Sequence, residues 1–465
     1  MAKLAIHGGS KAIPEDFKYP EWPIITEEDN TAIQRVMDRR DFWGKENEEV
    51  IGLEKEYSEY TGMKYCLALN SGTAAMHACV AGISIEPGDE VLVPALTFLA
   101  SATAVLHHNA IPVFVDIDPR TFNIDPDKIK EKITDRTKAI MAVDYHGLPA
   151  DYDEIYSIAR KHNLVVIEDG SQAAGAEYKE KKVGSLGDIS GMSTMPLKAL
   201  PGGGEGGFLC TNNEVYRDLA DMVRMFGEIV SKDQEREYNA YTMGWNYRIC
   251  IFSAAMARSQ LKRLDKYMRA RREKAAYISK ALSEIPGIIP PYVPDDRTHS
   301  YYIYYFKVDP EAAGLDISPG RFRQALQDTL RAEGVPVRIS QRTPIPGQAL
   351  FQVKRGYGKG CLWTCRYGQE VSYRIEDYPQ TLKVLEQSLA LDVGFIHPFT
   401  PTETQDKLLS AFHKVFDNLD DVVSYAEKLD YSPPWEALSQ LPPKEQIVEF
   451  VTESLNKKFQ QKREE

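Results

Sequence analysis

The chain reads as an α/β protein, a large α/β domain followed by a smaller α+β domain, and three observations carry that reading. At 465 residues it is longer than a single hydrophobic core usually grows. From Leu67 to Thr211 one grammar repeats: a short apolar or β-branched run, a turn, then a helical stretch. Beyond a long helical region containing Phe252 to Ala281, a turn rich in proline (Pro290, Pro291, Pro294) leads to a fresh strand-like run, Ser300 to Val308.

The strands expected in the first domain are Glu90 to Pro94, Ile111 to Asp116, Ala139 to Asp144, Leu164 to Asp169, Gly187 to Thr194 and Gly207 to Thr211. Several are nearly continuous in apolar character, as strands covered by helices on both faces are. Helices are expected between them at Thr73 to Gly82, Ala100 to His107 and Tyr152 to His162. The boundaries predicted are 1–262 for the large domain with its N-terminal arm, 263–424 for the small domain, and 425–465 for a C-terminal helical extension. In that extension Ile447, Phe450, Val451, Leu455 and Phe459 recur at helical spacing.

Composition narrows the functional classes. The net charge of −12 argues against nonspecific binding to nucleic acid or an anionic membrane. No apolar run approaches the roughly 20 residues a membrane helix needs, and the first residues contain no long apolar stretch, so the sequence reads as cytoplasmic. Six dispersed cysteines form no disulfide framework, and the one close pair, Cys361 and Cys365, lacks the second pair or clustered histidines of a metal site. No metal is expected.

Three motifs carry chemistry. Lys198 follows an apolar strand and precedes Pro201-Gly202-Gly203-Gly204-Glu205-Gly206-Gly207, whose glycines let backbone approach a flat ring. A partly desolvated amine there loses its proton easily and suits Schiff-base formation. Asp169 ends a buried strand at the sheet edge where ligands of open α/β folds gather, and its charge needs a partner such as a protonated pyridine nitrogen. Ser71-Gly72-Thr73 opens a helix and offers free N–H groups and hydroxyls to a phosphate. Gln172 is placed to meet a phenolic oxygen, Ser193 to add a phosphate donor, and Phe98 to lie on the ring. Each has a plainer reading as cap, early helix or core residue. Together they describe a pyridoxal 5'-phosphate site.

The succession Asn70-Ser71-Gly72-Thr73-Ala74-Ala75, Pro94-Ala95-Leu96-Thr97-Phe98, Pro112-Val113-Phe114-Val115-Asp116, Glu168-Asp169-Gly170-Ser171-Gln172-Ala173 and Lys198 with Gly204-Glu205-Gly206-Gly207 resembles the DegT/DnrJ/StrS family. The resemblance implies the aspartate aminotransferase-like fold (fold type I), with a large mixed-sheet α/β domain and a smaller C-terminal α+β domain. It implies a pyridoxal 5'-phosphate aminotransferase of sugar or cyclitol biosynthesis, with Lys198 as the Schiff-base lysine and proton shuttle and Asp169 on the pyridine nitrogen. Gln172 would lie near the phenolic oxygen, Phe98 would stack, and Ser71, Gly72, Thr73 and Ser193 would hold the phosphate. Family members are dimers, and Asn246 in Gly244-Trp245-Asn246-Tyr247-Arg248 resembles the asparagine that completes the neighbouring site. The donor implied is glutamate or glutamine, and the acceptor a keto-sugar, with or without a nucleotide, or a keto-cyclitol.

The chain departs from the family pattern at Met195, where an aromatic or histidine is usual, and at Ala199, where asparagine is usual. These departures leave open a pyridoxal enzyme performing elimination, replacement or carbon–carbon bond chemistry on an amino acid. A non-catalytic binding or regulatory protein on the same scaffold is the remaining alternative. Lys198 itself sets the chain apart from the dehydrating branch, which carries histidine at that position.

Overall fold

The computed structural model describes residues 2–230, 235–354, 356, 362–364, 366, 368 and 371–436. Cys361, Cys365 and the helical pattern of 447–459 lie outside the described residues.

Seven strands form the main sheet: β1 (Tyr65–Leu69), β2 (Glu90–Pro94), β3 (Ile111–Val115), β4 (Thr137–Val143), β5 (Val165–Asp169), β8 (Ile189–Ser193) and β9 (Gly207–Thr211). A small hairpin, β6 (Glu177–Tyr178) with β7 (Lys181–Lys182), separates β5 from β8. The order is β1-β9-β8-β5-β4-β2-β3; β9 runs antiparallel to both neighbours and all other pairs are parallel. Strand alternation sends Leu92, Ile140, Ala142 and Val166 into one core, and Val91, Val93, Met141, Val143 and Ile167 into the core on the opposite face. Helices cover both faces, which is why these strands read as continuous apolar runs. The parallel strands β2, β4, β5 and β8 all end at one edge, and that edge carries the functional loops.

The smaller unit has a four-stranded antiparallel sheet in the order β10 (Ile288–Ile289), β11 (Tyr304–Val308), β13 (Ser388–Leu391), β12 (Val337–Arg338). Helices Pro319–Ala332 and Thr402–Asp417 bury Phe322, Leu326, Leu408 and Phe412 against it.

Four features differ from the sequence reading. The helical region at 252–281 is two helices, Ile251–Leu261 and Leu264–Ser283, broken by a turn next to the expected boundary. The strand expected at Ser300 begins only at Tyr304, because the backbone of 300–303 is spent on the large unit: Ser300 N donates to Gly147 O (2.9 Å) and Ile303 N to His146 O (3.3 Å). The N-terminal arm, grouped by sequence with the large domain, packs on the small one. Leu4 and Ile13 sit in its core, and the Ala5 and Ala12 amides donate to the buried Glu333 carboxylate, which Lys414 also neutralises at 2.7 Å. Conversely, 345–354 and 371–385 leave the small unit and cover the edge strand β3. Phe351, Tyr373 and Tyr378 meet Phe114 edge-on, while the Asp116 carboxylate accepts from the Gln380 and Thr381 amides at the start of helix Pro379–Gln387. Composition does not reveal such exchanges, since each segment is ordinary α+β sequence and its partners are remote in the chain.

Candidate active site

A cavity of about 410 Å³ opens at the carboxyl edge of the main sheet, between the two units. Its lining includes Ser71, Gly72, Thr73, Phe98, Asp169, Gln172, Ser193 and Lys198, so eight of the nine residues named from sequence converge there. The ninth, Asn246, is exposed and lies outside its own chain's cavity, with its backbone held by the Asn70 side chain (3.1 Å).

Lys198 stands in the loop after β8. Its amide donates to Met195 O (2.8 Å), and the loop closes where Thr194 N meets Gly206 O (2.9 Å) and Gly202 N meets Thr194 O (2.7 Å). The side chain is 9% exposed, with Nζ 4.0 Å from the centroid of the Tyr302 ring. Burial lowers its pKa to about 8 against the opposing pull of the Asp169 and Glu205 carboxylates. Near neutrality a useful fraction of the amine is therefore unprotonated.

Asp169 is placed by β5, whose alternation turns Glu168 to the other face. One Asp169 oxygen accepts from the Ser101 hydroxyl (2.7 Å), which also contacts Thr97 Oγ1 (2.9 Å); the other accepts from Ser171 N (3.2 Å). Glu168 is buried behind the site and accepts from the amides of Gly184, Leu186 and Gly187. Burial raises the pKa of Glu168, and burial together with the Glu168 charge raises that of the neighbouring Asp144.

Helix Gly72–Gly82 is capped by the Ser71 hydroxyl, which accepts from Ala74 N (3.1 Å), and the Gly72 and Thr73 amides at its start have no hydrogen-bond acceptor among the described residues. A Cβ on Gly72 would stand 2.5 Å from Ser193 Cβ, so only glycine lets the helix start and Ser193 share one corner. Gln172 Oε1 accepts from the His146 amide (2.8 Å), which fixes the side-chain amide and leaves its NH2 as the group available to a ligand. Phe98, at the start of the helix Leu99–His107, is 66% exposed, unusual for a large apolar ring and appropriate to one awaiting a flat partner.

Sequence reasoning missed several lining residues. It also missed Ser101, which is buried behind the lining and reaches the site only through Asp169; three positions after Phe98, it has the look of any helical serine. Tyr145, Tyr302, Ile303, Ser340 and Gln341 come from the junction between units. Gln341 is oriented by Tyr145, whose hydroxyl donates to its Oε1 (3.0 Å), and by its own bond to Thr343 O (3.0 Å). Met195, the departure noted in the sequence, also lines the cavity and contributes an apolar wall. Among the described residues no group of histidine, cysteine or carboxylate side chains is arranged to hold a metal, and no helix is long and apolar enough to cross a membrane.

A buried lysine, a carboxylate at a strand end and an anion-receptive helix start, on this sheet order, are the features of the fold type I scaffold. Comparison with known proteins makes the class specific. The family model described as the DegT/DnrJ/EryC1/StrS aminotransferase family matches residues 23–372, and the chain belongs to that family. It is 40% identical over 290 residues to a GDP-perosamine synthase of Caulobacter vibrioides, covering 62% of this chain and 76% of that one. It is 38% identical over 278 residues to a dTDP-3-amino-3,6-dideoxy-alpha-D-galactopyranose transaminase of Aneurinibacillus thermoaerophilus, covering 59% and 75%. The solved aminotransferase from Psychrobacter cryohalolentis superposes with a TM-score of 0.75 at 29% identity, over 87% of this chain and all of that one.

Proposed function

We propose that this aminotransferase moves an amino group from glutamate or glutamine to the carbonyl carbon of a nucleotide-linked keto-sugar, as a homodimer using pyridoxal 5'-phosphate held at Lys198. The observation that carries the reading is the convergence of the buried Lys198 amine, Asp169 and Gln172 with the start of helix Gly72–Gly82 around one cavity. The donor set fits that cofactor group by group. A hydroxyl-braced carboxylate suits a pyridinium, a fixed amide NH2 suits a phenolic oxygen, and two free amides with Ser193 suit a phosphate. When bound, the cofactor supplies an electron sink that stabilises negative charge on the reacting carbon.

The chain's own residues do the rest. The Lys198 amine, neutral above a pH of about 8, takes the proton from the substrate carbon and returns it elsewhere. Asp169 keeps the facing nitrogen protonated, and Ser101 keeps Asp169 aimed. Tyr302 and the apolar wall of Met195 and Ile303 limit water around the amine.

Nucleotide-linked acceptors are favoured because the relatives named above act on GDP- and dTDP-linked sugars by their names. Arg338 and Arg342, both exposed and without an ion pair among the described residues, also flank the cavity-lining Ser340 and Gln341. The homodimer is supported by an exposed apolar patch next to Asn246. Trp43 is 69% and Met243 78% exposed, and Arg248 packs over Trp43 and Phe226.

Incubation with α-15N-labelled glutamate or glutamine and a panel of nucleotide-linked keto-sugars, with a free keto-cyclitol alongside, tests the proposal. An acceptor gaining one 15N, with one equivalent of keto acid released, is expected. Keto acid release with no aminated sugar in the panel, but with an aminated free cyclitol, would overturn the acceptor assignment.

A further inference from the structure

We propose that Trp22 is a positioning residue for the catalytic lysine, joining the N-terminal arm and the small unit to the main-chain carbonyl of Lys198. The inference rests on the assignment of Lys198 as the reactive amine. The Trp22 indole Nε1–H donates to Lys198 O at 3.1 Å. The peptide unit before Lys198 is already tied, through its amide, to Met195 O at 2.8 Å. With both flanking peptide units held, the direction of the Lys198 Cα–Cβ bond into the cavity is fixed, and only side-chain torsions remain free. The loop needs such a brace. It continues directly into a run of glycines, and Gly203 sits at φ +67°, so its own backbone does little to restrict it.

Trp22 is itself held from the other side. The Arg271 guanidinium lies 4.7 Å from its ring centroid, and Tyr267 and His397 meet it edge-on at 6.4 and 5.9 Å. Arg271 is 3% exposed and makes no ion pair among the described residues, and its guanidinium faces the Trp22 indole instead. The chain on either side of Trp22 is pinned as well. His397 Nε2 donates to Glu21 O (3.1 Å), and Gln260 Nε2 donates to Ile24 O (3.0 Å). Since the preceding arm packs into the small unit's core through Leu4 and Ile13, displacement of that unit is felt at the lysine's carbonyl.

The test uses the apo protein as well as the loaded enzyme. Trp22→Phe keeps a ring for Arg271 and removes the N–H. The pH dependence of Lys198 modification by an amine-reactive reagent, followed by peptide mapping, reports the lysine's titration without cofactor. The variant is expected to move that titration from about 8 toward the ordinary 10.5. It should also lower kcat by about tenfold with KM for the donor within about twofold. Arg271→Gln, which leaves the N–H in place and loosens the stack, is expected to move the titration in the same direction by less; it decides the matter should Trp22→Phe not fold. A folded Trp22→Phe with wild-type Lys198 titration and kcat would overturn the proposal, as would an unchanged titration in Arg271→Gln if it is the variant that folds. Wild-type enzyme whose borohydride-trapped cofactor maps elsewhere than Lys198 would instead count against the underlying assignment.

Discussion

The floor and the wall of the cavity are built differently. The floor belongs to the large unit: Ser71 to Thr73, Asp169, Gln172, Ser193 and Lys198 sit at or just beyond strand ends, on or between elements of a deeply buried sheet. The wall facing it comes from 300–303 and 338–342, irregular or two-residue-strand backbone docked on the large unit through bonds such as Ser300 N to Gly147 O (2.9 Å) and the Tyr145 hydroxyl to Gln341 Oε1 (3.0 Å). The floor offers an amine, a carboxylate and an anion corner, which are demands of a cofactor. The wall offers Tyr302, Ser340 and Gln341, with Arg338 and Arg342 beside them and without an ion pair among the described residues, which suits a substrate. Under the proposed function, reaction type and substrate choice would be carried by separate stretches of chain.

If that division holds, damage to the floor removes turnover with any substrate. Lys198→Ala is expected to lower kcat by at least about 10⁴-fold in a coupled transamination assay, since it deletes both the anchoring amine and the proton carrier. Wild-type capture of cofactor by the apo protein should accelerate as pH rises through about 8 and level off above it. Burial depresses the Lys198 pKa, so the protonated, unreactive form dominates only below that value; stopped-flow absorbance reads this directly.

Asp169→Asn is expected to cost about 10²-fold or more in kcat while donor binding persists, because a neutral amide cannot keep the facing nitrogen protonated. Ser101→Ala removes one 2.7 Å hydrogen bond from that carboxylate. Losing a bond to a charged group predicts cofactor affinity weaker by about tenfold, measurable by fluorescence titration. The smallest effect belongs to the wall. Arg338→Ala and Arg342→Ala should each raise KM for a nucleotide-linked acceptor a few-fold and leave the donor half-reaction untouched, as steady-state kinetics with both substrates would show. An equal loss in the donor half-reaction would erase the distinction between floor and wall.

The same division explains what the sequence made legible. Floor residues occur in short motifs whose neighbours announce them: Lys198 by its glycines, Asp169 by its apolar strand, Gly72 by the serine and threonine around it. Six of the seven strands of the main sheet fell close to their expected positions for the same reason, being apolar runs with turn residues at both ends, whereas β1 (Tyr65–Leu69) was not anticipated. Tyr302 carried no such sign, because its strand-like surroundings suggested regular β structure, whereas the backbone on either side of it, at Ser300 and Ile303, is spent docking on Gly147 and His146. Ser101 and Trp22 act through partners 68 and 176 residues away, and nothing local to either predicts them. The covering of β3 by 345–354 and 371–385 was hidden likewise, since the Asp116 carboxylate that caps helix Pro379–Gln387 is 264 residues distant from Gln380.

The central claim is that one buried lysine at the floor performs the chemistry, and it can be tested on the wild-type protein. Reduction of the cofactor-loaded enzyme with borohydride, followed by peptide mass mapping, is expected to place the pyridoxyl group on the peptide containing Lys198, and prior addition of glutamate or glutamine should prevent that labelling. Label on another lysine, or label on Lys198 that no amino donor diminishes, would contradict the account.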